Sequence, residues 1–255
     1  MTPIKSALIV GLVTGTLSLG LAVLAADTTA QETISGDSRC ITSNGVPNHA
    51  IGQFPNSGNP HSFRSQQVSL CVDATPARTG LTVTAPLSGV TLTGIPIRPG
   101  TADYYDGGSP RGFSRDPSSG WNLEGMGAAD QLGIDAQNAH VDHRGLYHYH
   151  GMPAALINLN GGTLMGYAAD GFPIHYAGDK AQASYVLKTG TRPTAPGGAY
   201  DGRYVEDWRY AAGSGNLDEC NGAMVNGSYV YFATDTYPFF PRCFKGTVSA
   251  DFKRP

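Results

Sequence analysis

Hydrophobic and polar positions alternate over short runs in this chain, and nowhere do they settle into the 3.6-residue period of a long helix. Gln67 to Asp73, Leu81 to Thr84 and Val90 to Ile97 alternate or concentrate β-branched residues and predict strands. Tyr229 to Thr234 predicts another. Leu146 to His150 predicts a strand introduced by the turn residues His143-Arg144-Gly145. Tyr167 to Tyr176 predicts two short extended pieces around a tight turn at Asp170-Gly171-Phe172-Pro173. A further turn is expected at Asn158-Leu159-Asn160-Gly161-Gly162, and Ala128 to Ala139 has room for a helical turn or two.

Between these runs the chain is punctuation. Cys40 to Pro60 reads as turn after turn, Thr101 to Gly127 as a long loop or short irregular strands, and Thr189 to Gly202 as a proline- and glycine-rich linker. With 34 glycines, 17 prolines and 15% charged residues, the composition agrees. The fold class expected is mainly β: a single β-sandwich-like or irregular β domain with long Gly/Pro-rich loops and few short helices.

One internal echo stands out. Residues 139–150 resemble residues 222–232, each ending in Tyr-x-Tyr-x after a glycine turn, with Val230 and Phe232 where the first segment has His148 and His150. Either two hairpins are alike by chance, or two related β-units pack together and only one keeps polar ligands.

The ends read differently. Lys5, the apolar run from Ala7 to Leu24 and small residues around Ala22 to Ala26 have the form of a secretory signal over residues 1–26. An uncleaved anchor is the rival reading; no later segment is apolar and long enough to span a bilayer. Residues 27–38 form a polar and loose leader, and 39–255 the domain proper. About 230 residues then remain, enough for a real core. The net charge of −3, about −4 without Lys5, and the lack of any basic run argue against nucleic acid and anionic membrane surfaces as partners.

Export gives the four cysteines a meaning: two disulfides. The expected pairs are Cys40 with Cys71 and Cys220 with Cys243, since each brackets one compact segment. Thiolate metal ligation is the alternative, without the close Cys-x-x-Cys spacing of structural zinc sites.

The chemistry concentrates at Tyr147-His148-Tyr149-His150. In an extended segment both histidines share one face and both tyrosines the other, and two residues advance about 6.6 Å, so the imidazoles can lean onto one ion. Four of the seven histidines, His140, His143, His148 and His150, fall within eleven residues. His140 is the third ligand expected, folded back across the glycine turn. Three neutral imidazoles leave a fourth position for water or substrate, as in catalytic zinc sites, and also suit copper. His49 is a candidate fourth ligand from another strand, or a turn cap. His143 and His61 read as surface, and His175 as a candidate outer partner.

Carboxylates offer supporting roles. Asp170 belongs to a tight turn, or orients a histidine. Asp218 and Glu219, beside Cys220, are a base candidate or a solvated pair. His140 with Asp142 and a later histidine also fits a two-histidine, one-carboxylate iron triad, less well than the histidine pair. Asp103-Tyr104-Tyr105-Asp106-Gly107-Gly108 offers oxygen ligands without the spacing of a calcium loop, so calcium is less favoured. No nucleophile elbow, P-loop or dinucleotide fingerprint is present.

Six blocks carry a resemblance: residues 43–49 (Ser-Asn-Gly-Val-Pro-Asn-His), Asn138-Ala139-His140, Tyr147-His148-Tyr149-His150-Gly151, residues 166–174 (Gly-Tyr-Ala-Ala-Asp-Gly-Phe-Pro-Ile), residues 217–222 (Leu-Asp-Glu-Cys-Asn-Gly) and Thr236-Tyr237-Pro238. In that order the chain resembles the YHYH domain family of exported bacterial proteins. The resemblance implies a metal-associated extracytoplasmic domain, periplasmic or secreted, and no settled activity. Such proteins often carry histidine in the second Tyr-x-Tyr-x segment, and Val230 and Phe232 depart from that pattern. Three functions stay open: an exported protein holding copper or zinc at one histidine-rich site, a metalloenzyme acting on a small-molecule substrate, and a metal-free interaction domain.

Overall fold

The computed structural model describes residues 28–157 and 163–253. The expected signal and the Asn158–Gly162 turn lie outside the described residues. The first strands are β1 (Ala30–Ser35), β2 (Ser38–Ser43) and β3 (Val68–Asp73), which form an antiparallel sheet in that order. Within the polar leader, residues 30–35 are therefore a paired strand and not loose. Gly36, with φ of 56°, turns the chain so that Ala30–Ser35 hydrogen-bonds along β2. Cys40 and Cys71 stand opposite each other in β2 and β3 and form the disulfide expected of them.

Next come β4 (Gly89–Thr91), β5 (Pro96–Ile97), β6 (Tyr104–Tyr105), β7 (Phe113–Ser114) and the short helix α1 (Ala129–Leu132). Then follow β8 (Ala139–Val141), β9 (Tyr147–Tyr149), β10 (Leu164–Ala168), β11 (Pro173–Tyr176) and β12 (Tyr185–Leu187). The last are β13 (Trp208–Tyr210), β14 (Gly222–Val225) and β15 (Ser228–Ala233). Eight of them make one sheet in the order β14-β15-β11-β10-β4-β5-β9-β8. The architecture is the irregular member of the two β alternatives. No described helix is long and apolar enough to cross a membrane.

Two expected strands turn out otherwise. Val90 to Ile97 is a hairpin of β4 and β5, because Gly94 takes φ of 75° and reverses the chain. Leu81 to Thr84 makes only an isolated bridge from Val83 to Phe244; Leu81 finds no core and stays 67% exposed.

The eight-stranded sheet consists of two like halves. Gly94-Ile95-Pro96-Ile97 recurs as Gly171-Phe172-Pro173-Ile174, and β4–β5 and β10–β11 are hairpins of the same form. Thr91 N–H donates to Ile95 O at 3.0 Å, as Ala168 N–H donates to Phe172 O at 2.8 Å. Ile97 then lies in parallel register with Tyr149, and Ile174 with Tyr231. The hairpins β8–β9 and β14–β15 close the two edges. The echo between residues 139–150 and 222–232 is thus one end of a longer internal correspondence. Where the halves meet, Gly89 and Gly166 are obligatory. A Cβ on Gly89 would stand 2.5 Å from Tyr167 O, and one on Gly166 2.0 Å from Val90 O.

Most of the core lies around this sheet. Val90, Ile97, Tyr147, Tyr149, Ile174 and Tyr231 are fully buried. A smaller cluster of Phe113, Trp121, Leu123, Leu132 and Tyr204 packs beside α1. Cys220 and Cys243 form the second disulfide, also as expected.

Candidate metal centre

Residues 135–150 build the site. Asp135 begins a turn in which Asn138 takes φ of 59°, and β8 then runs antiparallel to β9 with His140 directly opposite His148. Opposed residues of a pair point to one face. His150, two residues after His148, points to that face as well. The three ring centroids are 4.8, 4.6 and 4.9 Å apart. Tyr147 and Tyr149 take the opposite, core face. Tyr147 Oη donates to Asp135 Oδ2 at 2.7 Å, and Tyr149 Oη meets His49 Nε2 at 2.7 Å.

The hydrogen bonds fix the chemistry of the rings. His140 Nδ1 is 2.9 Å from Leu132 O, His148 Nδ1 3.1 Å from Leu146 O, and His150 Nδ1 3.4 Å from Pro99 O. A carbonyl only accepts, so each Nδ1 carries the proton and each neutral Nε2 offers a lone pair. Those Nε2 atoms converge: His150 lies 3.1 Å from His140 and 3.0 Å from His148. Two ligands at about 2.05 Å subtend about 3.3 Å across a tetrahedral angle. Bare acceptors held this close in a buried place repel one another unless a cation lies between them. Glycine allows the chain to close over the cluster, since a Cβ on Gly125 would come within 2.4 Å of His150 Nδ1.

Electrostatics point the same way. Burial pushes the His148 and His150 imidazoles well below their usual value of 6.5, and the charges of neighbouring histidines add to the push. His140 is lowered too, chiefly by burial, with a contribution from Arg98. Both nearly inaccessible rings, His148 at 3% and His150 at 1% exposure, are therefore neutral at neutral pH.

A pH dependence follows for the metal-free protein. The unfolded chain takes protons on these histidines near pH 6.5, and the fold does not. Stability is whole above that pH and falls as acid is added towards the depressed folded values. The slope reaches at most about 2.7 kcal/mol per pH unit for two such groups. Urea midpoints at pH 7, 6 and 5 measure it, and a flat profile would mean that the folded rings accept protons freely.

The remaining expected residues are placed elsewhere. His49 sits on the tyrosine side, with Nδ1 2.9 Å from Ala50 O and Nε2 on Tyr149, so it is not brought to the cluster. Its imidazole is committed to the core face, which the strand separates from the ligand face. Asp170 is buried in the other half of the sheet, where Oδ2 accepts from Tyr231 Oη at 2.8 Å and Gly246 N–H at 2.9 Å. His175 bonds Thr163 Oγ1 at 2.8 Å. Asp218 accepts from Cys220 N–H, Gly222 N–H and Tyr229 Oη, and Glu219 pairs with Lys245, which lowers its carboxyl below the usual range. None of these four lines the cavity in front of the histidines.

That cavity, about 290 Å³, is walled by His140, His148 and His150 and by Arg98, Asp103 and Asp142. The sequence offers Asp103 only as an oxygen ligand of a poorly spaced calcium loop, and no motif in it marks Arg98. The signal that could have found Arg98 is the repeat itself, because Ile97-Arg98 corresponds to Ile174-His175.

A family model described as YHYH protein matches residues 68–246 of the chain. No curated protein and no solved structure matches it.

Proposed function

We propose, on the premise that this chain belongs to the YHYH protein family, that it is an exported protein holding one copper or zinc ion on His140, His148 and His150. The observation that carries the reading is the convergence of three Nε2 atoms whose Nδ1 partners are all backbone carbonyls. Neutral imidazoles suit zinc and copper and disfavour calcium, which takes oxygen. The signal-like residues 1–26 and two disulfides support the periplasm or the exterior as its place, an oxidising compartment.

Elemental analysis of protein purified from its own host compartment tests the proposal. One copper or zinc per chain is expected, and its removal by a chelator lowers the thermal midpoint because only the folded state holds the three ligands together. A metal-free protein whose midpoint is indifferent to added copper and zinc would favour the interaction domain instead.

One observation favours a metalloenzyme as second reading. The cluster opens on a cavity, and the Asp103 carboxyl on its wall is raised by burial towards the range useful to a base.

A further inference from the structure

The cavity in front of the histidines is ringed by cations. Arg98, Arg111 and Arg115 line it, against the carboxylates of Asp103 and Asp142. Asp142 is already engaged: Oδ1 accepts from Arg144 N–H at 2.8 Å and Leu146 N–H at 3.0 Å, and Oδ2 lies 3.5 Å from Arg144 Nε. Arg111 donates to Gly58 O at 2.9 Å and lies over the Phe113 ring. Arg98 is different. Its backbone N–H is fixed on Tyr149 O at 2.8 Å, one residue from the parallel register of Ile97 with Tyr149, which sets it beside His150. Its guanidinium makes no hydrogen bond or ion pair among the described residues. Burial is the main cause holding its pKa below the usual arginine value; the Asp142 and Asp103 carboxylates pull it up without bonding it, and Arg144 and Arg115 push it down. A half-buried guanidinium whose donors meet no hydrogen-bond acceptor is costly beside a cavity unless an anion bonds it. The corresponding residue in the other half of the sheet, His175, is satisfied by Thr163 and has no such demand.

We propose that this cavity binds a small oxyanion, held by two of its oxygens on the Arg98 fork, with Arg115 supplying further positive charge at the mouth. The volume admits one small ligand and little more. The inference rests on the metal reading only in that an ion on the histidines would add to the same positive field; the arginine site stands without it. An oxygen of the bound anion then faces the open side of the histidine cluster. Carboxylates and phosphates share the recognition chemistry, and the two probes below separate them.

The test is calorimetric titration of the full chain with inorganic phosphate and, separately, with acetate. Each is run on chelator-treated and on metal-loaded protein, with metal content measured in parallel. Wild-type protein binds at least one probe, Arg98→Gln weakens it by about tenfold or more, and Arg98→Lys, which keeps the charge and loses the fork, by about threefold. Metal content is the same in all three. Arg115→Gln, at an exposed position, weakens binding about twofold with an unaltered fold, and carries the comparison with Arg98→Lys should Arg98→Gln not fold. Absence of binding by both probes in both forms overturns the proposal, as does equal affinity in the arginine variants. Arginine-dependent binding by a protein that takes up no metal would instead sustain the anion site and remove the metal reading.

Discussion

The double variant His140→Ala/His148→Val takes up no stoichiometric metal and keeps its fold. The molecule itself supplies the reason for the second half of that statement. At the corresponding positions of the other hairpin, β14–β15, the residues are Ala223 and Val230, on a backbone of the same form. Tyr149 and Tyr231 face the core in both, each in parallel register with an isoleucine. The geometry therefore tolerates small apolar side chains where the ligands stand. One remaining imidazole, His150, cannot hold an ion alone. If complete sites hold zinc by about 10–16 kcal/mol, each ligand accounts for about 3 kcal/mol. Losing two then weakens binding on the order of 10⁴-fold. Titration with copper and zinc reads the loss, and circular dichroism the retained fold. The acid sensitivity of the metal-free form should drop in step, to at most about 1.4 kcal/mol per pH unit, because one of the two deeply buried titrating rings is gone. Metal content equal to that of the wild type would sink the three-histidine site.

Local pattern made the histidine cluster legible before any coordinates. Alternation alone placed His148 and His150 on one face, and the glycine turn brought back His140, since both follow from backbone periodicity within a dozen residues. The disulfides were legible because each closes one compact segment. What the sequence did not show are partners fixed by long-range pairing. Arg98 reaches His150 only through the parallel register of β5 with β9, and Gly125 closes over the ring from a loop. His49 was drawn towards the metal by its residue type, yet its strand face belongs to the tyrosines. Asp170, Asp218 and Glu219 have the right chemistry, but the topology carries them to the other half of the sheet. The strand at residues 30–35 is hidden in the sequence for a related reason. Its exposed residues gave no hydrophobic signal, and an edge strand held by backbone hydrogen bonds along β2 and by the Glu32 pair with Arg39 needs none.

The same internal correspondence separates support of the fold from support of the site. Asp135→Ala should destabilise the protein by about 4 kcal/mol and weaken metal binding by about 10- to 100-fold. Its carboxylate accepts from Gly52 N–H at 2.8 Å, Gln137 N–H at 2.9 Å, Ala139 N–H at 3.3 Å and Tyr147 Oη at 2.7 Å. It therefore ties both strands of the hairpin, immediately before His140 and immediately before His148. Alanine leaves four donors unpaired, the Tyr147 hydroxyl among them in a fully buried ring. For a chain of this size the midpoint falls by about 10 °C. Asp218 plays the equivalent part in the other half, accepting from Cys220 N–H at 2.9 Å, Gly222 N–H at 2.9 Å and Tyr229 Oη at 2.8 Å. Asp218→Ala should cost a comparable amount of stability and leave metal affinity untouched, because no ligand rides on its hairpin. Thermal midpoints and metal titrations of the two variants side by side decide the matter. Equal losses of metal affinity in both would mean that the clamp acts on the whole sheet and not on the histidine hairpin. No loss in Asp135→Ala would mean that the three rings are held in place by their carbonyl partners alone.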